Sequence, residues 1–219
     1  MIRKFLSTVA GIAVLGAPAA FADQNEILVF GNFTTEDESF AMAAYTRNFT
    51  PQGTSGLAAR VSVSTLSYDL GPTDVSRRGA RLALGYNIAG TTGGETSFFV
   101  GAVSERFNGS TDTDVFLAVE TYQPLGSGSV GGVLEYSGVQ DTFYVQARYG
   151  FAVGSAEVGP VASYVDTNGY HAYDLGVQAS IPISTGAYLL PGLAYRNASP
   201  SGFSSEDSTV FSLGLYTAF

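Results

Sequence analysis

DTFYVQARYGF, residues 141–151, alternates without a break: Phe143, Val145, Ala147, Tyr149 and Phe151 fall on one face, and Tyr144, Gln146, Arg148 and Gly150 on the other. Period two is the strand period, and an unbroken apolar face opposite a mixed one marks a strand whose two sides meet different surroundings. The division recurs in GLAARVSVSTLSY (56–68), where Leu57, Ala59, Val61 and Val63 oppose Ala58, Arg60, Ser62 and Ser64. It recurs in ARLALGYNI (80–88), with Leu82, Leu84, Tyr86 and Ile88 against Arg81, Ala83, Gly85 and Asn87. HAYDLGVQASI (171–181) sets Tyr173, Leu175, Val177 and Ala179 against Asp174, Gly176, Gln178 and Ser180.

Working outward from these, twelve strands are predicted, near 27–34, 39–48, 56–68, 77–88, 96–107, 113–123, 129–138, 141–151, 155–165, 170–181, 185–196 and 207–219. Their lengths suit transmembrane β-strands, which need about 9–11 residues. Pro191 lies inside one of them and predicts a bulge or a weakly paired position, because proline cannot donate to the ladder. After every second strand comes a compact Gly/Ser/Thr turn: FTPQGTSG (49–56), NIAGTTGG (87–94), YQPLGSGS (122–129), FAVGSAE (151–157) and SIPISTG (180–186). The alternate connections are more acidic and read as longer loops, carrying Glu36, Asp37, Glu38, Asp69, Asp74, Asp112, Asp114, Asp141, Asp166, Glu206 and Asp207. Two ends in different environments, short turns on one side and polar loops on the other, is the outer-membrane barrel pattern. The rival all-β arrangement, a secreted sandwich or solenoid, does not account for outward aliphatic faces on nearly every strand. The fold expected is all-β: a closed antiparallel transmembrane β-barrel of about 12 strands, with 10 as the alternative.

The remaining composition agrees. Arg3 and Lys4, the apolar run 5–17, Pro18 and the small-x-small Ala20-Phe21-Ala22 predict a signal peptide over residues 1–22, leaving the barrel over 23–219. Losing those two cations moves the formal charge from −9 to −11, and every cation beyond residue 22 is an arginine. Such acidity excludes a nucleic-acid partner, which requires a basic footprint. There is no cysteine, so disulfides do not staple the fold. Beyond the leader no run approaches the roughly 18 apolar residues of a membrane helix. Outer-membrane lipid is therefore the first expected partner, at the outer membrane of a Gram-negative bacterium.

In STVFSLGLYTAF (208–219), Phe211, Leu213, Leu215 and Phe219 share one face. A closing Phe with alternating apolar residues upstream resembles the assembly signal of bacterial outer-membrane barrels, which implies the barrel assembly machinery as a partner.

The faces opposite the aliphatic ones collect Arg60, Arg81, Glu105, Glu120, Glu135, Gln146, Arg148, Asp174 and Arg196. Charges withdrawn from bulk water into a narrow lumen must pair. The cluster reads either as a salt-bridged plug or as the lining of a polar conduit. Nothing local singles out two of the glutamates for acid/base work on a sugar. His171, the one histidine, is placed by parity on the outward face beside Tyr170 and Tyr173, in an interfacial aromatic girdle rather than a catalytic site. Asp112 and Asp114 in NGSTDTD (108–114) hint at calcium-loop spacing but lack the closing Glu. No Gly-rich phosphate loop leads a strand into a helix. No cofactor, metal or catalytic residue is assigned.

Several segments resemble the BcsS family of cellulose biosynthesis proteins: FGNFTTEDESFAMAAY (30–45), ARLALGYNI, FFVGAVSERF (98–107), YVQARYGF (144–151) and EVGPVASYVDTNGYHAYDLGV (157–177). The resemblance runs over most of the chain beyond the leader, in order and spacing more than in identities. It implies a non-enzymatic accessory role in export or surface assembly of cellulose or another exopolysaccharide, with polysaccharide or cellulose synthase components as partners. It brings no catalytic residues, and Gly159-Pro160 receives only a backbone role. The alternatives are a small porin-like channel and a barrel-embedded lipid-modifying enzyme.

Overall fold

A computed structural model describes residues 25–36, 38–51, 53–70, 73–91, 93–107, 109–168, 170–200 and 205–219, without the side chains of 68–70, 73–75 and 200. The leader expected over residues 1–22 lies outside the described residues. Twelve strands follow in chain order: β1 (Asn25–Thr34), β2 (Ser39–Asn48), β3 (Gly56–Leu70), β4 (Thr73–Ala89), β5 (Glu95–Phe107), β6 (Ser110–Leu125), β7 (Gly128–Ser137), β8 (Thr142–Val153), β9 (Ala156–Thr167), β10 (Tyr170–Ser184), β11 (Ala187–Pro200) and β12 (Glu206–Ala218). Each pairs antiparallel with its chain neighbours, and β1 closes the barrel against β12. The seam runs from Glu26 opposite Ala218 to Thr34 opposite Val210. It continues past the strand ends, where Asn25 and Phe219 exchange backbone hydrogen bonds of 3.1 and 2.9 Å. Closure leaves no row of unpaired backbone groups, a requirement of any sheet in lipid.

The alternation sorts the side chains as the sequence predicts. On β3 and β4, Leu57, Leu82 and Leu84 point outward and are 62, 66 and 66% exposed, whereas Ala58 and Ala83 between them are 1 and 2% exposed. Aliphatic exposure of this kind continues around the wall, with Val100, Leu117, Leu134, Leu175, Leu193 and Leu213 all outward. A surface so apolar on every strand is stable only against lipid.

Two prolines interrupt single ladders. Between β10 and β11 pairing stops after Gln178↔Gly192 and resumes at Ile181↔Leu189, and Pro191 sits in the gap. Between β8 and β9 it stops after Arg148↔Val161 and resumes at Phe151↔Val158, around Pro160. Pro191 is thus the weakly paired position expected; the register shift of β10 lies elsewhere, at Pro182/Ser184.

The expected contrast of long acidic loops and short turns is corrected. β3 and β4 run to Leu70 and from Thr73, and β6 begins at Ser110, so the ladder continues through most of the acidic stretches. Asp112 and Asp114 are strand residues paired with Glu105 and Val103. Connection 138–141 is a short 3₁₀ turn whose Val139, 6% exposed, packs among interior residues. Extended strands prevail because each added cross-strand pair satisfies two backbone groups that a loop would leave to water.

The interior is also less polar than its Gly- and Ser-rich sequence suggests. Three apolar clusters fill it: Phe30, Phe40, Met42 and Leu66; Val133, Tyr144, Val165, Tyr170, Ala172 and Ala198; and Ala58, Ala83, Phe99, Val103, Phe116, Ala118 and Val139. The inward glycines make room for these rings. A Cβ on Gly85 would stand 2.5 Å from the Phe99 ring.

Candidate functional site

Interior arginines enter from β3, β4, β8 and β11, and their side chains are between 2 and 17% exposed. Arg60 on β3 grips both carboxylate oxygens of Glu120 on β6, with the Nη2–Oε2 hydrogen bond at 2.8 Å, and its Nε donates to Thr46 at 2.9 Å. The same guanidinium lies 4.1 Å above the centre of the Phe99 ring. Arg81 on β4 reaches Glu135 on β7 at 3.4 Å and stacks 4.9 Å from the Phe116 ring centre. Arg77, also on β4, pairs with Glu105 and donates to Gln140 of the 3₁₀ turn at 2.9 Å. Arg148 stands 3.8 Å from Glu157, whose other contact is a 2.6 Å hydrogen bond donated by Ser129.

Arg196 on β11 is also deeply enclosed. It is 3% exposed and makes two hydrogen bonds of 2.7 and 2.8 Å to Asp174 on β10. A third contact, 3.4 Å to Glu38, crosses the lumen past β12 and β1 to the connection before β2. The Arg60–Glu120 and Arg81–Glu135 pairs also skip strands, so they tie the wall across the lumen rather than along it. Buried pairs of this kind roughly offset their own desolvation, but losing one partner is costly.

All eight charges expected in the lumen, Arg60, Arg81, Glu105, Glu120, Glu135, Arg148, Asp174 and Arg196, face inward, and of these only Asp174, together with Gln146, lines a cavity. That cavity holds about 50 Å³ beside Tyr144, Ser163, Asp174 and Gln178. The Gln178 Oε1 there has no protein partner, which suits a bound water. Arg77, Glu38 and Glu157 complete the network and were not singled out by sequence. Glu38 is a correction: counted among the solvated acidic loop residues, it is 3% exposed and held by Arg196. Inward parity, shared with the buried Phe40 and Met42 that follow on β2, was the signal that could have found it.

Phe211, Leu213, Leu215 and Phe219 lie together on the outside of β12, 39–56% exposed. His171 faces outward as expected, with Tyr173 beside it. Tyr170 is corrected: it turns inward and is 3% exposed, because it precedes His171 on the strand and takes the opposite face. His171 stands in one outward row with Asp166 on β9 and Ser199 on β11. No hydrogen bond joins the three among the described residues. Also among the described residues, no group of three acidic or imidazole side chains is placed to hold a metal.

A closed, apolar-sheathed antiparallel barrel with charges folded into its interior is the architecture of outer-membrane β-barrels. Solved structures agree on the fold. The KdgM porin matches with a TM-score of 0.52 at 12% identity, over 89% of this chain and 99% of that one. An active-site mutant of outer membrane phospholipase A from Escherichia coli matches with a TM-score of 0.50 at 16% identity, over 94 and 98%. The calcium-bound phospholipase dimer of Salmonella typhi gives 0.50 at 15%, over the same shares. The chain matches no family model and no curated protein.

Proposed function

We propose that this protein is a non-enzymatic, non-conducting barrel of a Gram-negative outer membrane, accessory to the export or surface assembly of cellulose or a related exopolysaccharide. The bridging of Arg60 to Glu120 and of Arg196 to Glu38 supports the non-conducting part: each reaches over two intervening strands and takes up part of the lumen. Apolar packing reinforces it, since Val103 and Leu190 are fully buried and Phe116 is 2% exposed. A cavity of about 50 Å³ holds a few waters and no sugar. The polysaccharide link rests on the sequence resemblance to the BcsS family.

The test has two arms. Purified barrel in planar bilayers is expected to be electrically silent, and deletion of the gene is expected to lower cellulose-specific dye binding by the cells. Normal dye binding in the deletion strain overturns the accessory role. Steady single-channel currents overturn the closed lumen and favour a second reading, a small porin, to which the fold likeness to the KdgM porin lends support; that porin has also been solved with a disordered oligogalacturonate.

A further inference from the structure

Of the arginines beyond residue 22, Arg78 and Arg106 alone among the described residues have no carboxylate or hydrogen-bond partner. Arg60, Arg77, Arg81, Arg148 and Arg196 are all in ion pairs, and Arg47 donates to Asn25 at 2.9 Å. Arg78 on β4 and Arg106 on β5 are directly opposite in the ladder. Both are exposed, on the outward face of the wall. Like charges directly opposite on a sheet repel, with Cβ atoms ~5 Å apart. Among the described side chains nothing offsets that repulsion: the outward partners on the flanking strands are Thr65 and Thr111, both neutral. With Ser76 and Gly109 the two arginines line an open depression of about 350 Å³.

The height of the pair selects its occupant. Below Arg78 the outward residues of β4 are Ala80, Leu82, Leu84, Tyr86 and Ile88; below Arg106 on β5 come Ser104, Ala102 and Val100. A strand tilted by ~40° climbs ~2.6 Å per residue along the barrel axis. The stretch from Ile88 to Arg78 therefore covers ~26 Å, and the apolar band of a membrane barrel is ~25 Å tall. The pair thus sits where the hydrocarbon ends, on the rim opposite the chain termini. An anion held there by both guanidiniums has its acyl chains against Ala80, Leu82, Ala102 and Val100.

We propose that Arg78 and Arg106 form a clamp for the phosphate of a phosphorylated glycolipid in the outer leaflet. One phosphate between the two guanidiniums turns their repulsion into two charge-assisted, bidentate contacts, and the neighbouring hydroxyls of Ser76 and Thr111 suit a sugar headgroup. The proposal rests on the outer-membrane reading, because only there does this rim meet such a lipid.

The full barrel, folded in detergent, is titrated with bis-phosphorylated lipid A and bound lipid is counted by native mass spectrometry. The expected result is a one-to-one adduct, weakened at least tenfold in Arg78→Ala/Arg106→Ala and unchanged in Arg47→Ala, with all three proteins keeping the heat-modifiable gel mobility of a folded barrel. Equal binding of a dephosphorylated lipid, or no loss in the double variant, overturns the clamp. Displacement of the lipid by low-millimolar inorganic phosphate overturns the lipid as the occupant and makes the pair a free-anion site. A Thr35→Cys variant on intact cells, treated with a membrane-impermeant maleimide, separates the two levels. Labelling together with a failed titration refutes the clamp alone; absence of labelling refutes the orientation on which it rests.

Discussion

Replacing Leu84 with arginine tests the outward face most severely. Leu84 is 66% exposed on the outside of β4, four residues from Ile88 at one end of the apolar stripe and four from Ala80 at the other. At ~2.6 Å of height per residue it lies ~10 Å from either margin, close to the bilayer midplane. An arginine at that depth on a barrel's lipid face costs ~2–4 kcal/mol, and one near the interface ~0–1 kcal/mol. At 1.36 kcal/mol per factor of ten, Leu84→Arg is expected to lower the folding equilibrium by between ~30-fold and ~900-fold. Ser76→Arg, on the same face of the same strand at the rim, is the matched control. The chain has no tryptophan, so the folded fraction is best read by heat-modifiable gel mobility during guanidinium titration in phosphocholine vesicles. A Leu84→Arg midpoint indistinguishable from that of Ser76→Arg would refute the face assignment and the depth argument together.

Arg196→Met is expected to cost ~3–5 kcal/mol, because it strands Asp174 and Glu38 in the interior without their cation; the same titration measures it, and adding Asp174→Leu should recover part of the loss. Gly85→Val drives a side chain into the Phe99 ring that carries Arg60 and should lower stability by ~1–3 kcal/mol; an unchanged midpoint would show that the ring has other room. Val145→Arg, outward on β8, should impair insertion as Leu84→Arg does, read as folded yield in vesicles. Protease added to intact cells is expected to cut, if anywhere, near 34–38, 69–77 or 199–207 and never within 123–129, around the turn between β6 and β7; fragments from that segment would invert the proposed orientation.

Faces and strand count were legible because they are local. Phe143, Val145 and Ala147 point outward for the reason Leu57 and Leu82 do: a strand alternates its side chains whatever it pairs with, and lipid accepts only one of the two sets. The same parity put Arg60, Arg81, Glu105, Glu120, Glu135, Arg148, Asp174 and Arg196 inside, and Pro191 announced its own gap in the ladder. Other features needed the closed wall. Where strands end against loops depends on whether neighbours offer partners, so the acidic stretches around Asp112 and Asp114 became ladder rather than loop. Glu38 looked solvated until closure of β1 on β12 brought it to Arg196, and His171, Asp166 and Ser199 form a row only through the registers of β9, β10 and β11.

The amino-acid sequence by itself determined that this chain is an apolar-sheathed antiparallel barrel with charges turned inward, since alternation and turn chemistry act over a few residues. Only the tertiary structure decided which charges meet across the lumen, how fully it is packed, and that Arg78 faces Arg106 on the outer rim. Those outcomes depend on stagger and closure, which couple residues far apart in the chain, such as Arg196 and Glu38 at a separation of 158 positions.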